Sequence, residues 1–137
     1  IQTIKKCGKK AGIAINPGTP VSMIKEILPM ADLVLCMTTN PGVFGESFIP
    51  SVADKVKNLC ELREQKGYSY QIQVDGSIND QTAIVCKKAG ADILFQEAIY
   101  LEEISKNEFT RLWMQEKRCE SKRKFRTYFK GTSRRNF

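Results

Sequence analysis

Tyr70-Gln71-Ile72-Gln73-Val74-Asp75-Gly76-Ser77 is the stretch that decides the fold. Apolar and polar residues alternate from 70 to 74, the period-two signature of a strand. The run stops at Asp75-Gly76, which is turn chemistry. Asn79 or Asp80 then stands where a helix N-cap belongs, and a helix is expected through Ala89, stopped by Gly90. The unit is one strand, one short turn and one helix.

The same two-beat pattern extends in both directions. Gly12-Ile13-Ala14-Ile15-Asn16 reads as a short strand stopped by Pro17-Gly18. A helix is expected from Pro20 to Leu28, with Thr19 as its N-cap. Leu33-Val34-Leu35-Cys36-Met37 is a continuous apolar run, as expected of a strand buried on both faces. Ile49 to Gln65 carries apolar residues at 52, 56, 59 and 62, a helical stripe, with Gly67 as its stop. Ala91 to Phe95 is a fourth strand. Glu102 to Glu116 is an amphipathic helix bearing Ile104, Phe109, Leu112 and Trp113, and residues 1–10 look like the end of an earlier helix.

Alternating strands and helices with short connections imply parallel strands and right-handed crossovers. A small open α/β sheet fits, and so does part of a (β/α)8 TIM barrel. A whole barrel takes about 250 residues, so four units are half of one. In both architectures ligands bind at the C-terminal ends of the strands. Those ends are Asn16-Pro17-Gly18, residues 38–47, Asp75-Gly76-Ser77 and Gln96-Glu97.

Composition narrows the chemistry. The 137 residues make one domain's worth of chain, and no apolar stretch is long enough to span a membrane. No signal peptide shows, and a start at Ile1 rather than Met places the expected true start upstream. There is no histidine, which excludes a Ser-His-Asp or Cys-His nucleophile system and any imidazole metal ligand from this chain. Five cysteines without a C-x-x-C pair point to reduced thiols in a cytoplasmic protein. The net charge of +7 is local. Residues 117–137 hold nine Lys and Arg against Glu120, whereas residues 1–116 hold 13 basic and 14 acidic residues. The domain is therefore placed at 1–116, with 117–137 a basic tail expected to be disordered. Phe125, Tyr128 and Phe129 interleave with the tail's cations, a composition that also suits weak binding of single-stranded nucleic acid.

Two features at the strand ends bear chemistry. Asp75 ends an apolar strand, where a carboxylate serves as general acid/base, as ligand for a cation, or simply as a turn residue. Asn40-Pro41-Gly42-Val43-Phe44-Gly45-Glu46-Ser47 is a glycine-containing loop. With Gly76-Ser77 it offers backbone N–H groups to a phosphate, or forms an ordinary surface loop. Met37 and Phe48 suit core or pocket wall.

These residues, with Gly12 through Pro20, Ala31-Asp32-Leu33 through Thr38, Asn40-Pro41-Gly42, Ile72 through Asn79 and Ala89-Gly90-Ala91-Asp92, occur in an order and spacing that resembles a known family. Over residues 1–116 the chain is similar to the C-terminal half of the ribulose-phosphate 3-epimerase family of TIM barrels, which includes D-allulose-6-phosphate 3-epimerase. The resemblance implies four βα units of a barrel and an isomerase of carbohydrate metabolism that moves a proton at C3 of a ketose phosphate through an ene-diolate. The substrate would be D-ribulose 5-phosphate, on the pentose phosphate route, or D-allulose 6-phosphate. It also implies a divalent metal (Zn, Fe, Mn or Co) held by two histidines and two aspartates.

Carried over residue by residue, Asp75 matches the second aspartate, both catalytic acid/base and metal ligand. Gly42, Val43, Phe44 and Gly45 match the loop over the phosphate, Gly76 and Ser77 the second phosphate turn, and Met37 a pocket methionine. Departures are evident: Val43, Phe44 and Glu46 stand where the family has Phe, Gly and Gln. The eighth-strand Gly-Ser or Gly-Thr pair is missing, and so are the first four strands with both histidines and the other aspartate. The isolated chain is therefore expected to be inactive. Its partners are expected to be a phosphorylated ketose and either a missing N-terminal half or a second copy, not a membrane or nucleic acid. The alternative function is a non-catalytic remnant or interaction protein, or weak nucleic-acid binding through the basic tail.

Overall fold

In the computed structural model, the described residues are 1–42, 45–97 and 126–130. A short helix α1 (Gln2–Lys6) precedes strand β1 (Gly12–Ile15). Two 3-10 turns, Val21–Ile24 and Leu28–Met30, lead to β2 (Leu33–Met37). Helix α2 (Val52–Lys66), β3 (Gln71–Asp75), α3 (Asp80–Ala89) and β4 (Ile93–Glu97) follow, and β5 (Arg126–Lys130) comes last. All neighbouring strands pair in parallel, in the order β1-β2-β3-β4-β5. The four expected strands are present, and their parallel pairing matches half of a (β/α)8 barrel.

The helices differ in part from expectation. Between β1 and β2 the chain forms 3-10 turns rather than an α-helix over 20–28. Pro20, not Thr19, occupies the N-cap position, with extended backbone and no side-chain cap. Pro29 stands in the first turn of the second 3-10 segment, where its missing N–H breaks no helical hydrogen bond. Pro50 holds Ile49 out of the helix, and α2 starts at Val52. Asn79 caps α3 as anticipated: its side chain accepts from Gln81 N and Thr82 N, and the Thr82 hydroxyl accepts from Asn79 N. The expected helix over 102–116 lies outside the described residues.

The core lies between one face of the sheet and the helices. Ile15, Val34, Cys36, Ile72, Val74 and Leu94 pack with Val52, Val56 and Leu59 of α2 and Ala83 and Cys86 of α3. Burial raises the thiols of Cys36 to about 12 and Cys86 to about 11. The opposite sheet face is covered less. Leu33, Leu35 and Met37 are only half-buried, so β2 alternates rather than being buried on both faces. That face would line a barrel interior, and four βα units enclose it on one side only. Gly90 lets α2 and α3 approach, for a Cβ there would lie 2.6 Å from Cys60 Sγ.

The N-terminal ends of the strands are fastened by a repeated Ala-Asp pair. Asp32, before β2, accepts from Ala11 N at 2.7 Å and from Lys5 Nζ at 3.0 Å. Asp92, before β4, accepts from Ile72 N at 2.8 Å and pairs with the buried Arg63. Arg63 also donates to Tyr70 O at 3.0 Å. Each aspartate thus satisfies a backbone N–H near the start of a neighbouring strand.

β5 comes from the segment read as a basic tail. Arg126, Thr127, Tyr128, Phe129 and Lys130 pair in register with Ile93, Leu94, Phe95, Gln96 and Glu97. Five residues of that segment are therefore strand, and the others of 117–137 lie outside the described residues.

Candidate functional site

The strand register gathers the C-terminal ends. Met37 of β2, Asp75 of β3 and Phe95 of β4 are successive register partners. Lateral neighbours of a parallel sheet project to the same face, and adjacent strands are about 4.8 Å apart. All three are half-buried. Asp75 therefore sits between a thioether and an aromatic residue on the less covered face, at the edge where a parallel α/β sheet holds its ligands.

A fully buried threonine fixes the turn after Asp75. Thr38 N donates to Asp75 O at 2.8 Å, and the Thr38 hydroxyl lies in donor position to the carbonyls of both Asp75 and Gly76. Ile49 N in turn donates to Thr38 O at 2.8 Å, tying the start of α2's approach to the same point. Gly76 has φ +121°, and a Cβ there would meet Thr39 Oγ1 at 2.5 Å and Thr39 N at 2.9 Å. Only glycine satisfies both the dihedral and the space.

The two loops expected at a phosphate are joined. Ser77 sits at φ +49°, unusual for a residue with a side chain, and its hydroxyl donates to Glu46 O. That bond connects the Gly76-Ser77 turn to the loop containing Gly42 and Gly45, both of which have positive φ and open space around the Cβ position. Val43 and Phe44 lie outside the described residues. Lys55 of α2 braces the first loop, donating to Asn16 O at 2.9 Å and Pro17 O at 2.8 Å, and burial lowers its pKa.

The sequence reading named Asp75, Gly76 and the loop as candidates, and gave Thr38 and Lys55 no role of their own. Thr38 follows an apolar strand, and nothing in its local sequence says that its hydroxyl bridges to another strand. Lys55 had a weak signal, its position three residues after the core residue Val52. Among the described residues no group of three or more His, Cys, Asp or Glu is placed to hold a metal. Asp75 alone does not make a cation site, so the donors present do not fit the divalent metal that the resemblance implied.

A parallel sheet in sequential strand order, with helices α2 and α3 packed against it, is consistent with part of a barrel of the TIM class. A sequence model of the Ribulose-phosphate 3 epimerase family matches residues 1–100. The chain belongs to the ribulose-phosphate 3-epimerase family. It is 45% identical over 94 residues to the ribulose-phosphate 3-epimerase of Treponema pallidum (strain Nichols), covering 69% of this chain and 43% of that protein. It is also 45% identical over 95 residues to that of Bacillus subtilis (strain 168), covering 69% and 44%. The Arabidopsis thaliana ribulose-5-phosphate-3-epimerase, chloroplastic, is 44% identical over 94 residues, covering 69% and 34%. The chain spans less than half the length of these curated relatives.

Proposed function

We propose that this chain carries one half of a ketose-phosphate 3-epimerase site, with D-ribulose 5-phosphate the favoured substrate. The observation that carries the reading is Asp75 at the end of β3, beside two glycine turns linked through Ser77 and Glu46. In this reading the Asp75 carboxylate takes or returns the C3 proton on one face of the sugar. Backbone N–H groups around Gly42, Gly45, Gly76 and Ser77 hold the phosphate, and Met37 lines the pocket. Because the Ser77 hydroxyl donates to Glu46 O, its backbone N–H rather than its side chain is the donor offered to phosphate.

One carboxylate serves one face only. Inversion at C3 through an ene-diolate needs a second acid/base on the opposite face and stabilisation of the developing oxyanion. The chain supplies no histidine, and its described residues hold no metal-ligand cluster. In this reading the rest of the site, including ligands for a divalent metal, comes from outside the described residues. By itself the chain acts as a non-catalytic phosphosugar-binding half in the cytoplasm. A non-catalytic interaction protein is the second reading, favoured by the same donor set.

Proton exchange tests this directly. D-Ribulose 5-phosphate incubated in D2O with residues 1–137 should gain no deuterium at C3. Titration with the same sugar should shift the amide resonances of Gly42, Gly45, Gly76 and Ser77. Exchange lost on Asp75→Asn would overturn the inactivity claim, and shifts confined to other residues would sink the phosphate site.

A further inference from the structure

We propose that β5 is a protective edge strand, covering the apolar edge of β4 and presenting a cationic border that keeps a second copy from pairing there. A closed barrel has no strand edges, but an open parallel sheet has two, and each is a template for pairing with another chain. Along one edge of this sheet, β4 starts with Ile93-Leu94-Phe95. Those residues combine β-branched, aliphatic and aromatic side chains without a charge, the composition that promotes intermolecular strand pairing. β5 pairs with all five residues of β4, from Ile93↔Arg126 to Glu97↔Lys130. Residues 98–125 connect the two strands, more than the dozen or so that a parallel crossover needs.

The charge of the segment then acquires a physical role. Among the described residues β5 is the outermost strand on its side of the sheet. It carries Arg126 and Lys130, and Lys122, Arg123, Lys124, Arg134 and Arg135 flank it in sequence. Charged residues, lysine above all, are a recurrent way of blunting an edge against further pairing. Two copies approaching edge to edge bring like charges together. In the register Lys130 is the Cα partner of Glu97. At the other edge β1 has only four residues and is soon followed by Pro17 and Pro20, a short edge with prolines close behind. β5, with its Arg126 and Lys130, therefore pairs with the longer of the two strands, β4.

Three measurements on the full chain test this. In a parallel ladder alternate amides of β4 point to β3 and to the opposite side. Hydrogen exchange of the wild-type chain should protect both alternating sets across residues 93–97. Protection of one set alone would overturn the proposal. The double variant Thr127→Pro/Tyr128→Pro must remove one N–H that faces β4, whichever register position donates. It should speed exchange in one β4 set on the order of tenfold or more and turn a monomer into concentration-dependent oligomers by light scattering. A monomer with unchanged exchange would overturn it. Should that variant unfold throughout, Arg126→Thr/Lys130→Thr keeps strand-compatible residues and removes the charge. It should remain folded by circular dichroism and associate more readily than wild type. Association equal to wild type would remove the electrostatic part of the proposal.

Discussion

Asp92 and Asp32 hold corresponding places before β4 and β2, yet their surroundings give them different energetic weight. Arg63 is buried, and its guanidinium meets the Asp92 carboxylate and Tyr70 O. Removing one partner of a buried pair leaves the other charge uncompensated, at a cost of about 3–5 kcal/mol. Asp92→Ala should therefore lower unfolding stability by about 3 kcal/mol, measured by urea denaturation. Asp32 lies nearer solvent, and its pKa is lowered first by the Ala11 N–H it accepts and then by Lys5. A depressed carboxylate contributes stability above its unfolded pKa and loses it as pH falls through the folded value. The thermal midpoint of Asp32→Asn should thus lie below wild type at pH 7. The difference should shrink as pH drops below about 4, the ordinary carboxylate range. A gap that persists unchanged to pH 2 would mean that the ionised carboxylate is not what stabilises.

Between elements, the decisive contact is the turn after β3 against the end of β2. Gly76→Ala forces a Cβ into Thr39 and a φ of +121° on a residue that rejects it. The cost should be about 2 kcal/mol or more, a strain of about 1–3 plus the clash. It should appear both as a lower urea midpoint and as shifted amide resonances in 38–39 and 46–47. Changes limited to residue 76 would show that the turn is not coupled to β2. The helix–sheet interface makes a second prediction. Cys36 and Cys86 are buried thiols pushed to about 12 and about 11, whereas Cys7 is exposed. Only the thiolate reacts readily, so native protein at pH 8 should be alkylated at Cys7 and spared at Cys36 and Cys86. Modification mapped by mass spectrometry checks this, and equal labelling of all three would contradict the packed core.

At the scale of the whole molecule, the basic charge and the family site belong to different parts of the chain. Nine cations in residues 117–137 attract polyanions without reading sequence, and counterion release makes such binding steeply salt-dependent. Labelled single-stranded DNA should bind weakly at low salt and be released by about 0.15 M salt, where the Debye length is about 8 Å. Fluorescence anisotropy at two salt concentrations measures it. Micromolar binding that survives physiological salt would make nucleic acid a partner in its own right. The edge-protection role predicts the opposite sensitivity, because screening the same charges weakens repulsion between copies and favours association.

The sequence alone determined four strands and their parallel order, the helices after β2 and β3, and the Asp75-Gly76-Ser77 turn. These rest on local chemistry: period-two alternation in β3, the Asn79 cap, and glycine stops at 67 and 90. Family membership was legible too, because several motifs recur at fixed spacing. After β1 the helical pattern is met by two 3-10 turns instead of one α-helix. Only tertiary structure decided that Thr38 fastens the Asp75 turn, that Lys55 braces the first loop, and that Ser77 spends its hydroxyl on Glu46. It also decided that part of the basic segment joins the sheet as β5. Each of these is a contact between residues far apart in sequence, and hydrogen-bond partners at that separation leave no periodic trace along the chain.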